Sequence, residues 1–154
     1  MKKLTKDMIR SWKPCWDEDG PERLDDFFAP YPDGLTALEL RPLLSAEDWL
    51  WVVLRAEVIP ERELCLLACR FAEDALSRER AAGREPDQRS WAAIKAKRAW
   101  VRGEISRFAE DALSRERVWI VAWSARWSYA VFAVMKDVLD QQCQQVMEVL
   151  HAQG

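Results

Sequence analysis

Apolar side chains recur at helical spacing along ERELCLLACRFAEDALSRER, residues 61–80, where Leu64, Ala68, Phe71, Ala72, Ala75 and Leu76 share one face. That pattern predicts a helix from Pro60, which a first helical turn tolerates, to Gly83. Upstream, the apolar run WLWVVL opens directly behind the capping pattern SAED, Ser45 with Asp48, and predicts a helix over 46–57. A second capping pattern, Thr36 with Glu39, lies in TALE, and Thr5 begins a short helix that ends at Trp12 before Pro14. Beyond a loop at Gly83 to Pro86, a cap at Asp87 or Ser90 starts SWAAIKAKRAWV, which Gly103 stops. From Glu104 to Gln153 neither Pro nor Gly occurs, and one straight helix of that length would reach roughly 75 Å. A chain of 154 residues has no use for such a rod, so a break or bend is expected near 114–118 or 136–140. Residues 13–35 read as an irregular acidic and aromatic segment with one helical turn around 22–28. The expectation is an all-α fold without a sheet: a compact single-domain bundle over residues 1–154 with a long C-terminal helical region at 104–152.

The eleven letters RFAEDALSRER stand at 70–80 and again at 107–117. Their flanks do not align: ELCLLAC precedes the first copy and WVRGEIS the second. A solenoid needs a true structural period, so the duplication reads as a sharply bounded copy of an amphipathic helix. In both copies the acid precedes the base by four residues, Asp74 to Arg78 and Asp111 to Arg115, the orientation that supports a helix. In the second copy Phe108 and Ala112 fall on one face with Trp119, Trp123 and Ala130. Phe71 is expected in the core, with a loss of about 3 to 5 kcal/mol on truncation to Ala, and Phe108 is expected to matter less.

Composition adds bulk and an asymmetry of charge. The chain is 49% hydrophobic with nine Trp, enough for a core, at a net charge of −3. Residues 15–63 hold 13 acidic and 4 basic side chains, while 78–126 hold 12 basic and 7 acidic, so the two halves can dock on each other or on partners. Cys15, Cys65, Cys69 and Cys143 form no CxxC pair, and His151 is the single histidine. The cysteines therefore read as buried small apolar residues, with no metal and no cofactor expected. MKKLTKDMIRSW has no apolar run behind its basic residues, so no signal peptide is read and a reducing cytoplasm is expected. Arg126 interrupts VWIVAWSARWSYAVFAVM, which argues against a membrane span. Arg89, Lys95, Lys97, Arg98, Arg102 and Arg107, interleaved with Trp91 and Trp100, match no nucleic-acid module; they read as a solvated face or a partner for the acidic half. No Gly-rich phosphate loop, nucleophile elbow or HExxH occurs, so the chain is read as non-enzymatic.

Two stretches compete as a contact surface for a protein partner. One is the acidic set Asp17, Glu18, Asp19, Glu22, Asp25 and Asp26, whose carboxylates could occupy a basic channel. The alternative is Trp119, Trp123 and Trp127 at successive i+4 positions, read first as a core helix and second as an aromatic docking face.

In ERELCLLAC, PDQRS and AIKAKRAWVRGEIS the chain resembles a family of small helical proteins of bacteria and phages, some of which carry the label immunity protein. The resemblance spans most of residues 1–106, with its core at 61–105 and a phage-like opening at LTKDMIRSWKPC. It departs afterwards, where Ala-rich repeats give way to VWIVAWSARWSYAVF. It implies a binding protein of mobile-element or defence context and brings no catalytic residues. The function expected is an anti-defence inhibitor, most concretely an anti-CRISPR protein that blocks a bacterial nuclease complex. The alternative is an immunity protein that neutralises a toxin.

Overall fold

A computed structural model describes residues 2–14, 22–106 and 132–153. The described chain is mostly helical, in the order β1 (Lys3–Leu4), α1 (Lys6–Ser11), α2 (Glu22–Phe28), β2 (Leu35–Thr36), α3 (Ala37–Leu40), a 3-10 turn (Arg41–Leu43), α4 (Ala46–Val53), α5 (Glu61–Ala81), α6 (Gln88–Arg102) and α7 (Phe132–Ala152). By its internal contacts the chain divides into two units, Met1–Ile59 with Cys143–Gly154, and Pro60–Gln142. Among the described residues no helix is long and apolar enough to cross a membrane.

Local chemistry sets the helix starts in the first unit. The Thr5 side chain accepts from the Met8 amide, Thr36 and Glu39 form a reciprocal capping box, and Ser45 accepts from the Asp48 amide. The strict absence of a sheet does not hold: Lys3 and Leu4 pair antiparallel with Thr36 and Leu35. That ladder depends on Gly34, whose φ of +78° lets the chain pass close to the Leu4 carbonyl. Helix α4 ends at Val53, short of the expected 57. Ile59 precedes Pro60, which disfavours helical backbone there, and the chain turns so that the Val58 and Ile59 amides both reach the Arg55 carbonyl while Ile59 is fully buried. Leu4, Ile9, Leu24, Phe28, Leu40, Trp49, Val52, Val53, Val146 and Leu150 make up the apolar interior. The Cys143 thiol, donating to the Ala46 carbonyl, ties the middle of α7 to the start of α4.

The second unit is built on the hairpin of α5 and α6. Asp87 caps α6 by accepting from the Arg89 amide, and Gly103 ends it in a left-handed turn at φ +78°. The buried stripe of α5 is Cys65, Cys69, Ala72 and Leu76, with Leu67 beside it. Leu64, Ala68, Phe71 and Ala75 are only half-buried, so the expected face is rotated toward the cysteines. Phe71 is therefore not a core residue, and its truncation is expected to be milder than a full cavity would make it. Cys69, Ala72, Leu76 and Ile94 cluster, with Trp91 packed against them. Gln141 of α7 donates to Asp74 and accepts from Arg78. Residues 104–106 are not helical, and α7 runs without interruption through 136–140. The other expected break, 114–118, lies outside the described residues.

Candidate functional site

The acidic contact residues begin on α2. Leu24 and Phe28 are 1% and 5% exposed and fasten one side of this short helix into the interior, with Phe27 edge-on to Phe28. The opposite side carries Asp25 and Asp26, both exposed. Asp25 serves the fold itself, because Lys6 lies at 2.7 Å and Arg10 at 3.1 Å, so that its carboxylate latches α2 to α1. The Lys6 ammonium, followed by Arg10, holds the Asp25 carboxyl below its usual range. Glu22 is the first residue of α2, and Asp17, Glu18 and Asp19 lie outside the described residues. Trp119, Trp123 and Trp127, the competing aromatic face, lie outside them as well, as do Cys15 and the second copy of the repeat.

A feature that sequence reasoning missed sits beside α1. The Arg55 guanidinium lies 4.7 Å from the centre of the Trp12 ring and 4.1 Å from that of Trp51, and the two rings meet edge-on at 6.5 Å. Burial lowers the pKa of Arg55 and the Glu57 charge opposes that shift; among the described residues its Nε has no hydrogen-bond partner, and the two π faces lie over the cation. The signal available was Trp51 four residues before Arg55 in a predicted helix, but residues 12 and 51 meet only through the tertiary fold.

Arg89, Lys97, Arg98 and Arg102 of α6 are answered within their own unit. Arg98 makes two bonds to the Glu73 carboxylate of α5, Arg102 pairs with Glu104, Arg89 with Asp87, and Lys97 lies 4.2 Å over the Trp100 ring. The partner found for Arg98 is thus a neighbouring helix and not the acidic N-terminal half. Cys65, Cys69 and Cys143 are buried. Burial pushes the Cys69 thiol up to about 11, and its Sγ donates to the Ile94 carbonyl. Among the described residues no group of three His, Cys, Asp or Glu side chains could hold a metal ion. His151 is exposed in the last turn of α7.

No family model, curated protein or solved structure matches the chain.

Several carboxylates share the electrostatics of Asp25. Glu39 is bound by the Thr36 amide and hydroxyl, Glu79 by Arg84, Glu85 by Arg80 and Glu104 by Arg102, and each is held below the usual 4.5. Their folded-state values are depressed, so their stabilisation is present above the unfolded values and lost as pH falls through the folded ones. Thermal melts followed by circular dichroism should be flat from about pH 8 to 5 and shift downward below about pH 4.5. Each pair is exposed and individually weak, so the acid shift should be gradual and should shrink in added salt.

Proposed function

We propose that this protein is a non-enzymatic inhibitor from a phage or mobile element, an anti-defence protein of the anti-CRISPR kind. It blocks a bacterial nuclease complex in the cytoplasm by placing carboxylates in a channel meant for nucleic acid. The observation that carries this reading is the build of α2. Its apolar side is buried and Asp25 is latched to α1, so Asp26 stands on a fixed support, and the acidic letters Asp17, Glu18 and Asp19 precede that helix in the sequence. Preorganised charge raises association rate and selectivity more than loose charge does. The phage-like opening LTKDMIRSWKPC supports the same context.

The resemblance of residues 61–105 to proteins labelled immunity proteins favours a second reading, neutralisation of a toxin. Affinity purification of the tagged protein from its host, with mass spectrometry of what it retains, separates the two. Recovery of a nuclease complex in stoichiometric amount supports the first, and a secreted toxin in its place supports the second. Recovery of neither, from cells shown to express both kinds of protein, refutes the two readings together.

A further inference from the structure

Trp12, Trp51 and Arg55 have no part in the acidic docking reading, yet together they form a built feature of the first unit. All three side chains are half-buried, and the backbone beneath each is fastened. The Trp12 and Lys13 amides bond back to the Ile9 and Arg10 carbonyls, and Pro14 behind them is fully buried. Trp51 stands on α4 between the buried Leu50 and Val52. The Arg55 amide donates to the Val53 carbonyl, and the Arg55 carbonyl accepts from the Val58 and Ile59 amides. A guanidinium held in this way has little freedom left to lose when a ligand arrives.

What the guanidinium lacks is an anion. It lies 4.7 Å and 4.1 Å from the centres of the Trp12 and Trp51 rings, which answer its charge and leave its in-plane N–H groups without acceptors. Among the described residues no oxygen accepts a hydrogen bond from this side chain; Nε is buried, and the two Nη groups reach solvent. Burial disfavours the charge, and Glu57 acts on it through space without a bond. A partly desolvated cation gains most from a partner that brings both opposite charge and acceptors. We propose that Arg55 is a binding site for one carboxylate, an Asp or Glu side chain of a protein partner, received by the Nη groups beside the Trp12 and Trp51 rings.

The residue types and the local charge both favour this ligand. Tryptophan and arginine are the side chains that most often anchor protein interfaces. A nucleic-acid backbone is held by several cations in succession, whereas here Lys6 and Arg10 are taken by Asp25 and the Glu57 charge already acts on Arg55. One planar fork suits one planar carboxylate. The contact is opposite in sign to the acidic set and independent of it.

The test is a titration of the unaltered protein followed by nitrogen–proton correlation NMR, read at the Arg55 side-chain Nε–H and the Trp12 and Trp51 indole N–H. The probes are glutamate blocked at its amine and α-carboxyl, dimethyl phosphate and chloride, each as the sodium salt at constant ionic strength. The site predicts a saturable shift with blocked glutamate, half-complete at roughly 10 to 100 mM, as one charge-assisted pair allows. In Arg55→Lys, which keeps the charge and loses the fork, the indole response should be roughly tenfold weaker. A response to blocked glutamate no larger than that to chloride, or an undiminished response in Arg55→Lys, overturns the proposal. Dimethyl phosphate binding as tightly as blocked glutamate overturns it in favour of a nucleic-acid backbone.

Discussion

Trp49→Ala should remove about 3 to 5 kcal/mol, the loss typical of a buried aromatic truncated in a core that cannot close over the gap. Trp49 is fully buried, its indole N–H donates to the Ala37 carbonyl at 2.7 Å, and the Arg41 guanidinium sits 5.5 Å over its ring. One side chain thus joins α4 to the start of α3. Trp49→Phe keeps most of the apolar contact but removes the donor and part of the ring, leaving the Ala37 carbonyl without its indole partner at about 1 to 3 kcal/mol. Urea unfolding of the two variants should rank Ala well below Phe. Against a total stability of about 5 to 15 kcal/mol, the Ala variant should stand close to unfolding at ordinary temperature. Equal losses would mean that the hydrogen bond, and not the ring, is the larger contribution.

Gly34→Ala should be the second severe change. A Cβ there would lie 2.5 Å from the Leu4 oxygen and 3.0 Å from its carbonyl carbon, both backbone atoms that cannot swing aside. The φ of +78° adds about 1 to 2 kcal/mol for any L side chain, and the forced overlap about 1 to 3 more. Gly83 is the internal control, since it has φ +79° with nothing within 4 Å of the added atom. Gly83→Ala should show the conformational penalty alone. Denaturant titrations that give the two variants the same small loss would show that the ladder between Lys3–Leu4 and Leu35–Thr36 yields without resistance.

What could be read from the letters was what is decided within a few residues. Thr5, Thr36 with Glu39, Ser45, Asp87 and Gly103 all act where the sequence placed them, because a cap needs only a side chain or a glycine next to the helix end. The short helix at 22–28 was legible as well. The misses belong to contacts made at a distance. The ladder pairs residues about thirty apart and is too short to leave an alternating pattern of its own. The stripe on α5 was misplaced because Cys65 and Cys69, although read as buried small apolar residues, were left out when its apolar face was drawn. Arg55 looked like a helix residue until Trp12 was brought to it by the fold. In the candidate site, the carboxylates of Asp25 and Asp26 are equivalent as letters. Only the position of α1 shows that the first latches the fold.

That distinction decides how the central claim is tested. Reversing Asp17, Glu18 and Asp26 to Lys, with Asp25 kept to hold α1, removes docking charge and leaves the latch intact. The measurement is the affinity of this variant and of the unaltered protein for the nuclease complex recovered from the host, across a salt series. The account predicts that the unaltered protein binds less tightly as salt rises, and that the reversed variant binds weakly at every salt concentration while melting at the same temperature. Binding that ignores both salt and charge reversal, yet disappears in a still-folded Trp123→Ala variant, would contradict the account and assign the contact to the tryptophan-rich segment.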